Sequence, residues 1–310
     1  MFQKEEASFP SSAPGQEIQY FIYRPEGEAR AMVQLVHGMS EYVGRYEPYI
    51  GYLTGQGFLV YGDNHLGHKG TAKKPSDRGF FAHEDGWKCL VKDEHKLTGI
   101  MKEKYPGLPL FLYGHSMGSF ISRAYIAQWP DELAGVILTG TSGSNPAMGA
   151  GKRMAGMIKK LQGEKHISGT LNLMMFSGYN KKYDHPKSAY EWLTRDDSVV
   201  KAYDEDEWCG FPFTVSGNLD MMCLLEYVSS DKWYEKVPAD LPMLVASGSM
   251  DPVGGYGKGI EEVRQKLKRK DRKDCTVMLY KDMRHEIHNE IGKETVWADM
   301  AGWMLERIPK

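Results

Sequence analysis

Short apolar runs separated by helical stretches are the feature that most constrains the fold of this chain. Six runs occur, at residues 31–36, 58–61, 108–113, 134–138, 243–246 and 276–280. Continuous runs of this length are typical of strands that are buried on both faces of a mostly parallel sheet. Strands that alternate with helices predict a doubly wound α/β sheet with right-handed connections. Earlier in the chain, residues 18–23 alternate in character and predict a strand with one face partly wet.

The alternation stops between Leu138 and Leu241. Residues 146–236 hold helical pieces, aromatics and methionines, and they contain no confident parallel strand. We interpret them as a mainly helical cap insertion over the carboxyl edge of the sheet; further core helices are the alternative. The predicted organisation is therefore a core in two parts, residues 1–145 and 237–310, separated by the cap.

Composition excludes several classes of protein. A formal net charge of -2 provides no basic field that would attract nucleic acid. The four cysteines are far apart and show no metal-ligand spacing, so we expect reduced thiols and no zinc site. Residues 1–16 are polar and lack the apolar segment of a signal peptide, and no run approaches the roughly 18 apolar residues of a membrane span. We expect a soluble, cytoplasmic protein of unpredicted oligomeric state.

The pentapeptide GHSMG (residues 114–118), with Ser116 at its centre, follows the apolar residues 110–113 and precedes a helical stretch. A GxSxG pattern alone is weak evidence in a chain with 34 glycines. Its strand–turn–helix context is what a nucleophile elbow requires. The two glycines leave room for the tight turn that exposes the serine hydroxyl. Ser116 is therefore the predicted nucleophile.

A serine hydroxyl needs a base, and the base needs a group that orients it. Asp251 and His285 each follow the carboxyl end of a predicted strand, in the chain order Ser, Asp, His that this elbow predicts. Asp282 is a rival acid but lies too close in sequence to His285. His288 is a rival base but falls in the following predicted helix. For Asp251, a turn residue before proline is the alternative.

The segment Val36-His37-Gly38-Met39 follows an early strand and predicts the second half of an oxyanion hole. The backbone N–H groups of Met39 and Met117 would hold the oxyanion, each contributing about 3–4 kcal/mol of transition-state stabilisation. The side chains of both methionines line an apolar acyl site in one interpretation and pack in the core in the other.

Five segments together resemble the monoacylglycerol lipase and lysophospholipase family of α/β-hydrolases. They are HGMSEYVGRY (37–46), GDNHLGHKGT (62–71), GHSMGS (114–119), SGSMDPVG (247–254) and DMRHEIHNE (282–290). The resemblance implies the α/β-hydrolase fold, a triad of Ser116, Asp251 and His285, oxyanion donors at Met39 and Met117, and no metal or cofactor.

The resemblance also implies that Glu41 and Arg45 lie near the alcohol end of the site, where they would contact a glycerol or head group. A structural salt bridge that holds the oxyanion loop is the alternative for both. The segment after Asp63 departs from the usual family pattern, and the cap matches no characterised lipase. The residues that select the substrate therefore lie where the resemblance is weakest.

The leading hypothesis is a serine carboxylic-ester hydrolase that forms an acyl-enzyme with monoacylglycerols or lysophospholipids. Methionine-rich cap segments would adapt to different acyl chains, with ordinary burial between cap and core as the alternative. A basic-ended helix over residues 151–160 would make transient contact with a membrane surface in one interpretation and is a plain surface helix in the other. A small-ester esterase and a catalytically silent ligand-binding relative are the alternatives. An iminopeptidase is disfavoured because no acidic cluster is assigned to bind a free amine; Glu205-Asp206-Glu207 is the only candidate.

Overall fold

The computed structural model describes residues 2–269 and 271–308, whose strands form one sheet. The strand order is β1-β2-β4-β3-β5-β6-β7-β8, and all neighbours from β4 to β8 are parallel, whereas β2 is antiparallel to β1 and β4. The strands are β1 Gln3–Pro10, β2 Glu17–Arg24, β3 Ala31–Val36, β4 Phe58–Asn64, β5 Leu110–His115, β6 Gly135–Thr139, β7 Met243–Gly248 and β8 Cys275–Tyr280. The predicted doubly wound, mostly parallel sheet is confirmed.

The first two strands differ from the sequence prediction. β1 was not predicted, because its charged side chains at Lys4, Glu5 and Glu6 carry little apolar signal at the edge of the sheet. In β2, the face predicted to be partly wet is largely covered, since Phe21 and Tyr23 are buried. Phe2 packs edge-on against Tyr23 with ring centroids 5.1 Å apart, a contact between distant segments that periodicity does not reveal.

Alternate residues of the central strands face two separate cores. One core packs against helices α2, α3 and α9, and the other packs against α1 and α10. The helices are α1 Glu47–Gly55, α2 Gly86–Lys104, α3 Met117–Ile126, α4 Met148–Gln162, α5 Gly169–Phe176, α6 Asp197–Glu205, α7 Val215–Ser229, α8 Asp231–Lys236, α9 Lys258–Lys268 and α10 Lys293–Leu305. Burial on both faces explains the unbroken apolar runs of the strands.

Between β6 and β7 the described chain forms helices α4 to α8 and no strand. Leu171 on α5 packs with Ala155 on α4 and Met222 on α7 in a small cluster of their own. By contrast, Leu224 and Val228 on α7 pack into the first sheet core. The division at residues 146 and 236 stays a prediction. None of the helices in the described residues combines the length and the apolar character needed to cross a membrane.

Arg123 on α3 ties the helix behind the Ser116 turn to the last helices before β7. Its side chain is fully buried, and its guanidinium donates to the carbonyl oxygens of Ser142 at 2.8 Å and Val228 at 2.5 Å. The guanidinium also lies 4.5 Å from the ring centre of Trp233. Loss of this group would leave buried carbonyl oxygens without donors.

We therefore expect Arg123→Met to lower the free energy of unfolding by about 3 kcal/mol, because methionine fills part of the volume but donates no hydrogen bond. Urea denaturation followed by circular dichroism measures this. The matched control is Arg153→Met on the exposed face of α4, which should change stability by no more than about 0.5 kcal/mol. Equal effects of the two substitutions would contradict the structural role of Arg123.

Candidate active site

Ser116 lies at the tip of the turn between β5 and α3, with φ 53° and ψ -119°. A positive φ is uncommon for a residue with a side chain and is typical of a strained functional turn. Both flanking glycines are required by the close packing: a Cβ on Gly114 would lie 2.5 Å from the Gly118 carbonyl oxygen, and a Cβ on Gly118 would overlap the carbonyl oxygen of Val36. Ser116 is partly exposed and lines a cavity.

His285 and Asp251 meet beside this turn. Nδ1 of His285 lies 3.0 Å from Oδ1 of Asp251, and the carboxylate also accepts from the Val253 N–H at 2.8 Å and the Ser247 hydroxyl at 3.2 Å. His285 lines the same cavity as Ser116. The structure thus brings the three predicted residues to the carboxyl ends of β5, β7 and β8, where the sheet places its ligand sites.

The electrostatic setting of His285 suits a base. Burial alone lowers the pKa of its imidazole, but the adjacent Asp251 carboxylate outweighs burial and raises that pKa above its ordinary value. A carboxylate in this position favours the tautomer with a proton on Nδ1, which leaves Nε2 free to accept a proton.

The rival acid and base are set apart from this pair. Asp282 is exposed on the loop after β8. His288 lies in a short 3-10 helix, Ile287–Asn289, rather than in the following α-helix as predicted. Its ring is fully buried and stacks on Tyr46 with centroids 4.5 Å apart, and burial lowers its pKa to about 3. His288 is therefore a packing residue.

The oxyanion loop, defined as residues 37–41, passes directly over the Ser116 turn. A Cβ on Gly38 would lie 3.2 Å from Cβ of Ser116. Met39 is in this loop and Met117 is the first residue of α3, so the Met117 N–H has no intrahelical acceptor. Within residues 2–269 and 271–308, neither of these two N–H groups donates to another protein group. Both residues line the cavity; Met117 also belongs to the first core, and Met39 packs against that core.

Glu41 and Arg45 form a buried network that joins the oxyanion loop to the His285 loop. Oε1 of Glu41 accepts from the Gly38 N–H at 2.6 Å and the Tyr46 hydroxyl at 2.7 Å. Arg45 donates to Glu41 and, through two bonds of 2.7 Å, to Glu286. Burial would raise the pKa of Glu286, but Arg45 lowers it to about 2. Because these groups already have partners, the geometry favours the loop-holding alternative over direct contact with a head group.

The cavity above Ser116 has a volume of about 230 Å³. Its walls come from the core and from the segment between β6 and β7, and most of them are apolar or aromatic. They include Met39, Phe120, Met148, Met175, Phe176, Met221, Met222 and Leu225. Sequence reasoning missed Trp192, whose ring centre lies 5.0 Å from that of His285, because residues 177–196 show no periodicity.

In the described residues, the one group of three or more converging His, Cys, Asp or Glu side chains is Asp63, His65 and Glu94, behind the oxyanion loop.

Comparisons with known proteins show which family the chain resembles. A family model described as Serine aminopeptidase, S33 (Hydrolase_4) matches residues 27–292. The chain is similar to a monoacylglycerol lipase of Mycolicibacterium smegmatis (26% identity, covering 98% of each chain). It is also similar to a monoglyceride lipase of Homo sapiens (27% identity, covering 96% of this chain and 89% of that one).

Among solved structures, a thermostable carboxyl esterase from Bacillus coagulans in complex with glycerol superposes with a TM-score of 0.93. It is 29% identical, and the match covers 100% of both chains. These similarities confirm the predicted resemblance to monoacylglycerol lipases and the α/β-hydrolase fold.

The raised pKa of His285 predicts how activity depends on pH. A base must be neutral to accept a proton, so kcat/KM should fall as pH drops through a value above the roughly 6.5 of a free imidazole. In Asp251→Asn the lowering effect of burial is opposed only by the more weakly acting Glu286 and Glu41, so this acid limb should move to lower pH while kcat falls by about 10⁴-fold. Ester hydrolysis measured across pH tests both effects. Asp282→Asn, an exposed residue on the loop after β8 that carries His285, is the control. An acid limb that stays in place in Asp251→Asn would contradict the assignment.

Proposed function

The chain belongs to the Hydrolase_4 family of serine hydrolases, and from this premise we propose that it hydrolyses monoacylglycerols or related single-chain lipid esters such as lysophospholipids. The observation that carries the proposal is the convergence of Ser116, the His285–Asp251 pair and two unpartnered backbone N–H groups on one apolar cavity. A catalytically silent relative would be expected to lack part of this set, and no part of it is lacking here.

In the proposed reaction, His285 Nε2 takes the proton of the Ser116 hydroxyl as Oγ attacks the ester carbonyl carbon. The resulting oxyanion accepts hydrogen bonds from the N–H groups of Met39 and Met117. The intermediate collapses as the bond to the alcohol oxygen breaks, and His285 gives its proton to that oxygen. Water then attacks the acyl-Ser116 ester; His285 takes a proton from the water and returns one to Ser116 Oγ as the carboxylic acid leaves.

The cavity wall supports an acyl chain as the group that is bound. Met148, Met175, Met221 and Met222 come from three different helices, α4, α5 and α7. Methionine side chains are flexible and polarisable, so they adapt to apolar ligands of different length. The names of the mycobacterial and human relatives, and the glycerol in the Bacillus esterase complex, support a glycerol-sized alcohol as the leaving group.

A short-chain ester is the second candidate, and the size of the cavity favours it. About 230 Å³ is less than the roughly 300–1,000 Å³ of typical small-molecule pockets. A long acyl chain would require the helices above the cavity to move apart, whereas a short ester would fit without such movement.

An aminopeptidase activity has less support despite the family description. The Glu205–Glu207 segment predicted as the amine-binding candidate does not line the cavity. Asp206 accepts from the Tyr42 hydroxyl at 2.6 Å, and Glu207 pairs with Arg78. Glu41 and Glu286 do line the cavity, but both are paired with Arg45.

Helices α4 and α5 carry exposed apolar side chains that support transient contact with a membrane surface. Leu161 is 81% exposed and Leu173 is 70% exposed, and the basic residues Arg153 and Lys160 lie on the same stretch of α4. Apolar side chains flanked by basic ones are typical of segments that touch anionic lipid interfaces. A cytoplasmic location stays a prediction.

A chain-length series tests the lipid proposal. We expect kcat/KM for p-nitrophenyl esters to be maintained or to rise beyond butyrate, with monoacylglycerols and lysophospholipids also hydrolysed. Met222→Trp should narrow the cavity and slow long-chain esters by tenfold or more relative to acetate, a loss of about 1.4 kcal/mol. Met157→Trp, on the exposed face of α4, is the matched control. Activity that collapses beyond butyrate in the wild type would replace the lipid proposal with the short-chain one.

A further inference from the structure

A buried polar cluster that the reaction does not use lies behind the oxyanion loop. Asp63 is in β4, His65 follows β4, and Glu94 is on α2; each is 1% exposed. His65 Nδ1 lies 2.9 Å from Oδ1 of Asp63 and 3.3 Å from Oε1 of Glu94. Within the described part of the chain, neither of these two carboxylate oxygens has a hydrogen-bond donor. Buried carboxylate oxygens without donors are costly, so this arrangement requires an explanation.

The opposite side of the His65 ring determines which nitrogen carries the proton. His65 Nε2 lies 3.1 Å from the carbonyl oxygen of His37. A carbonyl oxygen only accepts hydrogen bonds, so Nε2 must be the donor. In a neutral ring, Nδ1 would then direct a lone pair at two carboxylates. A proton shared among Nδ1, Asp63 and Glu94 removes this repulsion.

The next contacts lead to the proposed oxyanion donor. The His65 backbone N–H donates to Nε2 of His37 at 3.1 Å, and the two rings stack with centroids 3.7 Å apart. Since Nε2 of His37 is an acceptor, its Nδ1 carries the proton and donates to the Gly38 carbonyl oxygen at 2.8 Å. That carbonyl belongs to the same planar peptide unit as the Met39 N–H, and the two point in opposite directions. The hydrogen bond from His37 Nδ1 to the Gly38 oxygen therefore fixes the direction of the Met39 N–H.

We propose that Asp63 and Glu94 retain one shared proton with His65 and that His65 is a positioning residue, which fixes the Met39 N–H through His37 and the Gly38–Met39 peptide. The inference rests on the proposed role of Met39 as an oxyanion donor. Burial and the neighbouring Asp63 raise the pKa of Glu94 well above its ordinary value, which agrees with a proton held in this cluster.

A bound metal ion would neutralise the cluster as well, but the surroundings favour a proton. Structural metal sites usually offer four ligands, whereas three side chains converge here among the described residues. The other oxygen of Glu94 accepts from the Gln34 amide at 2.5 Å, and Gln34 is itself held by Thr98 and Tyr61. Glu94 Oε2 is thus already engaged, and no fourth His, Cys, Asp or Glu side chain of residues 2–269 and 271–308 joins the cluster.

Kinetics of three variants test the positioning role. His65→Phe keeps the stacked ring but loses the Nε2 donor, so we expect kcat to fall by about tenfold or more while KM changes by less than about threefold. Affinity for a boronic acid transition-state analogue should fall in parallel with kcat. Glu94→Gln, whose amide still donates into the cluster, should retain most of the activity.

The matched control is Asp93→Asn, which alters the adjacent buried carboxylate on α2. Asp93 contacts Ser11 and the Ser12 N–H rather than the oxyanion loop. We expect it to lower thermal stability without lowering kcat. Unchanged kcat in a folded His65→Phe protein, or an equal loss of kcat in Asp93→Asn, would overturn the proposal.

Two measurements on the wild-type protein keep the test valid if His65→Phe fails to fold. In protein labelled with ¹⁵N-histidine, we expect His65 Nε2 to be protonated throughout the neutral pH range, and elemental analysis should find no stoichiometric metal. An unprotonated Nε2, or one metal ion per chain, would overturn the proposal. Neither measurement depends on ester hydrolysis, so failure of the proposed function would be recognised separately by the absence of activity in the wild type.

Discussion

The close approach of the oxyanion loop to the Ser116 turn is the constraint on which the rest of the site depends. Gly118 has no side chain, so the α3 N-terminus packs against the carbonyl groups of Val36 and His37. Gly38 also lies against the turn, since a Cβ on it would be 3.2 Å from Cβ of Ser116. Two segments pressed together in this way have little freedom to reorient, so the directions of the N–H groups of Met39 and Met117 are fixed before any substrate binds. Such preorganisation is the main source of transition-state stabilisation in acyl transfer.

The helical segment between β6 and β7 takes part in this geometry as well as covering the cavity. The Ser40 carbonyl accepts from the Tyr203 hydroxyl and the Gly210 N–H, each at 3.0 Å. On the other side, the backbone N–H groups of His285 and Glu286 donate to the carbonyls of Trp192 and Leu193. Residues that shape the cavity are thus bonded to both loops of the proposed site. Changes that alter substrate preference in this segment are therefore expected to alter catalytic geometry too.

Local patterns were enough to predict the parallel part of the sheet and the edge at which its carboxyl ends meet. Buried parallel strands and a GxSxG turn leave strong signals in consecutive residues. Ser116, Asp251 and His285 could be named because each follows a strand. The partnership of Arg45 with Glu286 could not be predicted, since it joins residues 241 positions apart. Trp192 lies in an aperiodic segment, and β1 is too polar to resemble a strand. Contacts made only by tertiary packing are absent from any local pattern.

The proposed acyl transfer through Ser116 can be tested by trapping its covalent intermediate. The wild-type protein would be mixed with a monoacylglycerol or a p-nitrophenyl ester, quenched with acid within milliseconds, digested and analysed by mass spectrometry. We expect the peptide containing Ser116 to gain the mass of the acyl group, and this adduct to be missing from Ser116→Ala. An acyl adduct on another residue, or ester hydrolysis that continues at the wild-type rate in Ser116→Ala, would contradict the proposal.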